Sequence, residues 1–259
     1  MSSPDPPAAT ERPGITAILY THADADALVA AVQGLHQALS ARSIHHDILV
    51  VEDGATDSTA EAALAAAAGL EGAPVRVLRT TASHGYGAAL RVALAEAREP
   101  WVLVLDARDV LDEAALDAAL EAAGAEAPCD LVVGCRDRHP GGVRRRIAYR
   151  LFRLFCRVVF GLPVRDVNSR FNLFRRQMIE RIVIQSAGCF ADAEILAKAG
   201  FFGFMMGEVR VRSRIERAAA RQLSEGCLRR TLREAWTVFH RPVLLPPSPP
   251  ANGASENGV

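Results

Sequence analysis

Short, unbroken apolar runs recur through the first half of this chain, and each is followed by a stretch with helical spacing. The runs are ITAILY (15–20), DILVVE (47–52), VRVLR (75–79), WVLVLD (101–106) and DLVVGC (130–135). A strand with one wet face alternates apolar and polar residues; these runs mostly do not, so both of their faces must be covered. Helical patterns over 24–41, 56–68, 86–97 and 112–124 supply the cover. Strands alternating with helices in this way predict an α/β chain with a mostly parallel central sheet and helices on both faces. Ligands of such sheets sit beyond the carboxyl ends of the strands.

After residue 135 the rhythm changes. A helix is expected over 144–160, with Arg146, Arg150, Arg153 and Arg157 on one side and Ile147, Leu151, Leu154, Phe155 and Val158 on the other. Such a helix either lies in a lipid headgroup layer or docks on the core with a solvated basic face. Helices over 175–186, 190–199 and 219–239 and a strand within 204–212 complete the expectation. The ends, 1–13 and 246–259, are rich in Pro, Ser, Gly and Ala and read as disordered tails. One domain is expected over 14–240.

Charge divides that domain. Residues 1–135 hold 20 acidic and 7 basic side chains, whereas 136–259 hold 10 acidic and 23 basic, so a net charge of zero conceals halves of −13 and +13. The basic half suits phosphate or an anionic membrane surface; the alternative is that the halves neutralise each other. All basic residues but Lys198 are arginine, which with the abundant alanine points to compositional bias, so arginine number alone carries no argument. Cysteines 129, 135, 156, 189 and 227 lack the pairing or spacing of a disulfide framework or zinc site. No run approaches the ~20 apolar residues of a spanning helix, and no signal peptide is evident, so a cytoplasmic protein is expected, peripheral on the inner membrane face if bound there. No nucleic-acid partner is expected.

Three strand ends carry polar groups: EDGATD (52–57), SHGYGAAL (83–90) and DARD (106–109). The first offers carboxylates beside a glycine turn, the second glycines that open a helix whose N-terminus favours anions. Each is common alone. Their order, ILVVEDGATDST, ASHGYGAALRVALAEA, WVLVLDARD, DLVVGCR, FGLPVRDVNSRFNLFRR and CFADAEILAKAGF, resembles the family 2 glycosyltransferases with the GT-A (Rossmann-like) fold. Within them it is similar to the dolichyl-phosphate mannosyltransferase-like, or polyprenyl-phosphate hexosyltransferase, branch. The resemblance spans about residues 15–212.

The resemblance implies a nucleotide-sugar half over about 14–135 and an acceptor half over about 136–240. It implies donor contacts at Asp24, Glu52, Asp53, Asp57, Gly85, Gly87 and Arg108, and a Mg²⁺ or Mn²⁺ ion held by Asp106, the first Asp of a D-x-D motif, with Asp109. Arg136 would hold diphosphate or acceptor phosphate, Asp166 would be the acceptor-side carboxylate, and Glu194 would support the site. The implied partners are a nucleotide-sugar, a polyprenyl-phosphate lipid or anionic membrane surface, and a membrane-protein partner where the chain does not bind lipid itself. The implied reaction is a single inverting displacement by a lipid phosphate oxygen, which as an anion needs little general-base help.

Departures from the pattern cluster on the donor side. The first strand ends in YTHAD (20–24) and keeps only Asp24 as an acid; EDGATD has lost a Ser hydroxyl at Ala55; the D-x-D reads Asp106-Ala107-Arg108; the late motif over 210–226 has no clean match. Two readings follow. In one, the enzyme is active, with Asp109 or water completing a metal shell or Arg108 pairing with diphosphate. In the other, a degenerate member acts as a binding or scaffolding subunit.

Overall fold

The computed structural model describes residues 13–21, 25–54, 61, 64–65, 68, 74–80, 84–109, 111–125, 127–137, 143–212 and 225–244. Seven strands form one sheet: β1 (Ile15–Thr21), β2 (His46–Asp53), β3 (Val75–Thr80), β4 (Trp101–Asp106), β5 (Leu131–Arg136), β6 (Asn172–Arg175) and β7 (Met206–Val211). Their order is β3-β2-β1-β4-β6-β5-β7. Every pairing is parallel except those of β6, which runs antiparallel between β4 and β5. The helices are α1 (Ala25–Ser40), α2 (Tyr86–Ala95), α3 (Glu113–Gly124), α4 (Val143–Phe160), α5 (Arg176–Ile179), α6 (Ala191–Phe201) and α7 (Glu225–His240).

The unbroken apolar runs are explained by what covers them. Within β2, Ile48 and Val50 pack with Leu28, Val32 and Leu35 of α1 and Leu116 of α3. Leu49 and Val51, pointing the other way, pack in the cluster that includes Leu90 of α2, Phe152 of α4 and Ile195 of α6. Successive side chains face opposite sides of a strand, so with two covered faces a polar residue needs a buried partner, as Thr16 of β1 has in Asp47 of β2. Each fully buried Leu or Ile stabilises the fold by ~1.5–3 kcal/mol relative to exposure.

Two expectations need correction. The helix predicted over 175–186 is a single turn, α5; the run Ile182-Val183-Ile184 follows it outside any helix, with Ile182 and Ile184 buried against the core. β-branched side chains crowd the preceding turn of a helix, which disfavours continuing α5 through this run. The strand β6 was not anticipated, because its four residues, Asn172–Arg175, lie inside a charged block. The tails, most of the helix expected over 56–68 and residues 213–224 lie outside the described residues. Among the described residues no helix is long and apolar enough to cross a membrane.

α4 docks on the core through one arc and leaves a second apolar arc outside. Phe152 and Cys156 are buried in the core, yet Val143, Ile147, Leu151, Leu154 and Val158 are 70%, 51%, 60%, 56% and 75% exposed. At 100° per residue those five span an arc of about 80°, and Arg146, Arg150, Arg153 and Arg157 occupy the adjoining arc of about 60°. Phe160 meets Phe239 of α7 edge to face with ring centroids 6.1 Å apart. Trp236 and Phe239 of α7 are themselves 65% and 52% exposed.

Candidate functional site

Register places the polar strand ends side by side. Tyr20 of β1 pairs with Asp106 of β4, and Thr21 with Glu52 of β2. β5 runs parallel to β4 with β6 between them, so Arg136 emerges on the same edge of the sheet. The segment leading into β6 enters from that edge and delivers Asp166 and Arg170 there.

The β4 end is a closed ion cluster. Arg108 folds back on Asp106, with Nε donating to Oδ1 at 2.9 Å, Nη2 to Oδ2 at 2.7 Å and its backbone N–H to Oδ1 at 3.1 Å. Arg170 adds a bond from Nη1 to Oδ2 at 3.3 Å. Burial works against the charged carboxylate, but the bonds from Arg108 and the charge of Arg170 outweigh it and hold Asp106 below the usual carboxylate range. The Arg170 guanidinium lies 4.0 Å from the ring centroid of Tyr86 and 5.2 Å from that of Tyr20. Tyr86 in turn donates its hydroxyl to Asp192 at 2.7 Å. Burial raises the Asp192 carboxyl to about 6, against the opposing charge of Arg170.

Asp53 organises the glycine turn. Its two oxygens accept the backbone N–H groups of His84 and Gly85, each at 3.0 Å. Gly85 has φ 96, and a Cβ there would stand 2.5 Å from the carbonyl oxygen of Ala187. Gly87 donates its N–H to that same oxygen at 3.0 Å, and a side chain on it would strike the carbonyl of Ser186. The neighbouring Glu52 accepts from Arg79 Nε at 2.9 Å across the β2–β3 register.

The third group joins the predicted acceptor-side residues to α4. Arg136 donates to Asp166 from Nε at 2.7 Å and Nη2 at 3.0 Å, and Asp166 is wholly buried. The Tyr149 hydroxyl of α4 donates to the same carboxylate. Burial and the charge of Asp166 push the Tyr149 phenol well up. The fork of Arg136, expected on phosphate, is therefore turned onto Asp166 and the carbonyl of Asn168.

Glu194 stands apart from these clusters. It is wholly buried, pairs with Lys198 at 2.6 Å, and accepts the backbone N–H groups of Gln185 and Ser186, each at 2.8 Å. It thereby pins the 185–187 segment that packs against Gly85 and Gly87. Asp24 and Asp57 lie outside the described residues. Asp109 closes a turn through its N–H to the carbonyl of Asp106 at 3.0 Å.

A divalent ion needs oxygen ligands that are not already neutralised. Both oxygens of Asp106 accept from guanidinium groups, and the described residues contain no group of three or more His, Cys, Asp or Glu side chains that could hold a metal. An ion at the expected pair, Asp106 with Asp109, would therefore have to displace Arg108 and Arg170 from Asp106. Arg170, Tyr86, Tyr20, Tyr149 and Asp192 carry no role in the sequence reading. Arg170 reaches Asp106 across 64 positions, through a strand that the sequence does not announce.

Comparison with known proteins bears on these clusters together. Residues 16–183 match the family model described as Glycosyl transferase family 2. The succinoglycan biosynthesis protein ExoO of Rhizobium meliloti (strain 1021) is 29% identical over 129 residues, covering 49% of this chain and 35% of that protein. The match thus spans little more than a third of that relative's length. Glucosyl-3-phosphoglycerate synthase from Mycobacterium tuberculosis, solved with Mn²⁺, UDP-glucose and glycerol 3-phosphate, superimposes with a TM-score of 0.66 at 16% identity, covering 91% of this chain and 82% of that one. A mannosyltransferase from Pyrobaculum calidifontis, solved with GDP-Man and Mn²⁺, gives 0.61 at 19% identity, covering 89% and 61%. At these identities the likeness is one of fold: the GT-A arrangement.

Proposed function

The chain belongs to glycosyl transferase family 2, and from that premise we propose that it moves a hexose from a nucleoside-diphosphate sugar to a polyprenyl-phosphate-type lipid at an anionic membrane surface, with inversion. The donor would lie across the carboxyl ends of β1, β2 and β4, beside Asp53, Gly85 and Asp106. In the transfer, an acceptor phosphate oxygen forms a bond to the anomeric carbon as that carbon's bond to the diphosphate breaks. The electron pair leaves with the nucleoside diphosphate. An acceptor that arrives as an anion needs no proton removed, which accords with an Asp166 whose oxygens are saturated by donors.

The observation that carries the lipid acceptor is the exposed apolar stripe of α4, bordered by arginines, on the helix whose Tyr149 reaches Asp166. An amphipathic helix of this kind binds anionic headgroups through its cations and buries its apolar arc at the acyl boundary. An apolar groove of about 390 Å³, lined in part by Phe160, Leu162, Phe201 and Phe239, offers a seat for the lipid chain. Attachment is peripheral, on the cytoplasmic face, through α4 itself or with a membrane-protein partner. Flotation with vesicles tests this: the protein is expected to rise with anionic vesicles and stay down with zwitterionic ones, and Leu151→Glu with Val158→Glu is expected to abolish the difference. Equal recovery from both vesicle types would overturn the membrane reading.

The closure of Asp106 by Arg108 favours a second reading, a non-catalytic binding or scaffolding subunit. Absence of thermal stabilisation by UDP- and GDP-sugars would favour this second reading, and stabilisation without transfer of the sugar would favour it as well.

A further inference from the structure

The ion cluster at the β4 end does more than obstruct a metal. We propose that Arg108 and Arg170 form a built-in cationic site that binds the diphosphate of the donor without a divalent ion; this rests on the donor-site reading above.

Charge, origin and rigidity support the assignment. Two carboxylates with a divalent ion sum to zero. Asp106 and Asp192 with the guanidiniums of Arg108 and Arg170 sum to the same value, so the arginines supply the charge that an ion would bring. They reach one carboxylate from separate parts of the chain: Arg108 from the turn after β4, Arg170 from the segment entering β6, 64 positions away. Arg170 packs against both Tyr86 and Tyr20, whose rings meet each other edge to face at 5.1 Å, so its guanidinium is fixed by two aromatic contacts as well as by Asp106.

The site is also placed where an anion can reach it. The side chains of Arg108 and Arg170 are 14% and 22% exposed, while Asp106 beneath them is 4% exposed. The carboxylate is thus covered and the cations form the outer layer, at the carboxyl ends of the strands where a nucleotide of an open α/β sheet is received. Guanidinium groups bind phosphate oxygens in forked pairs. Asp106 then becomes a positioning residue: it aims Arg108 through the bonds to Nε and Nη2 instead of ligating an ion.

The test uses the full-length protein, with UDP and GDP as calorimetric probes in EDTA and in saturating Mn²⁺, and Mn²⁺ alone followed by electron paramagnetic resonance. At least one nucleotide is expected to bind with affinities agreeing within about twofold in the two buffers, and Mn²⁺ alone to show no site on the wild type. Each charge-assisted bond lost should weaken nucleotide binding by about ten- to a hundredfold, read with Arg108→Gln and, as a second variant with its fold checked by circular dichroism, Arg170→Met. Arg108→Asp is expected to gain a Mn²⁺ signal and to bind nucleotide only with the metal. Nucleotide binding by the wild type only in Mn²⁺ would overturn the arginine site while leaving the donor site standing. Binding by neither nucleotide in either buffer would overturn both.

Discussion

Asp166→Asn is the perturbation with the most to say about how the acceptor half is held. The wild-type carboxylate is wholly buried and accepts from Arg136 Nε, Arg136 Nη2 and Tyr149 Oη. Removing one charge of a buried pair leaves the other without compensation and costs ~3–5 kcal/mol. For a chain of this size each kcal/mol lowers Tm by ~2–4 °C, so the expected fall is roughly 6–20 °C. Tyr149→Phe removes one hydrogen bond to a charged group and should cost less, ~1.5–3 kcal/mol. Urea unfolding followed by far-UV circular dichroism, with thermal melts alongside, reads both. The partner cycle sharpens the result: Arg136→Met with Asp166→Leu replaces the pair by apolar groups and should recover part of the loss, the Tyr149 hydroxyl being left without its acceptor. A change of less than about 1 kcal/mol for Asp166→Asn, or a double variant whose loss is the sum of the singles, would refute the reasoning.

Other outcomes follow from the same structure. Gly87→Ala puts a methyl against the carbonyl of Ser186 and 2.9 Å from Ala191 Cβ, and should cost ~1–3 kcal/mol in urea unfolding. Asp192 is raised from 3.8 to about 6 in the fold, so wild-type stability drains away as pH rises through that window. Asp192→Asn, which keeps an acceptor for Tyr86, should therefore gain on the wild type between about pH 4 and 6 by at most ~3 kcal/mol, the gain levelling off above; a pH-independent difference would contradict this. Lys198→Met strands the buried charge of Glu194 and should cost ~3–5 kcal/mol, whereas Arg42→Met, whose partner Asp117 is 58% exposed, should cost under ~1 kcal/mol apart from lost packing.

How much of this the sequence revealed depends on whether the cause was local. Four strands, β1, β2, β4 and β5, are visible as apolar runs because both faces are covered, whereas the edge strand β3, with Arg79 exposed, is visible through its Val and Leu residues. Asp53, Gly85 and Asp106 are visible for a similar reason, since a strand end followed by a glycine or an acid is a local pattern. β6 is hidden because its burial comes from neighbours 39 or more positions away, such as Val133 and Val104, and not from its own length or periodicity. Arg170 is hidden with it: in sequence it is one arginine among many in a composition that already favours arginine. α4 shows the opposite limit. Its amphipathic pattern is legible, but only the packing of Phe152 and Cys156 reveals that the core takes one arc and leaves the Val143–Val158 stripe outside.

The account's central claim, sugar transfer to a lipid phosphate, is tested most directly by following labelled hexose from UDP- and GDP-sugars into organic-extractable product. The assay uses anionic vesicles carrying a polyprenyl phosphate, with EDTA present. The account predicts organic-phase label that persists in EDTA and disappears when the polyprenyl phosphate is omitted. Nucleotide-sugar binding with no label reaching the lipid, from any donor and with or without divalent metal, would contradict it.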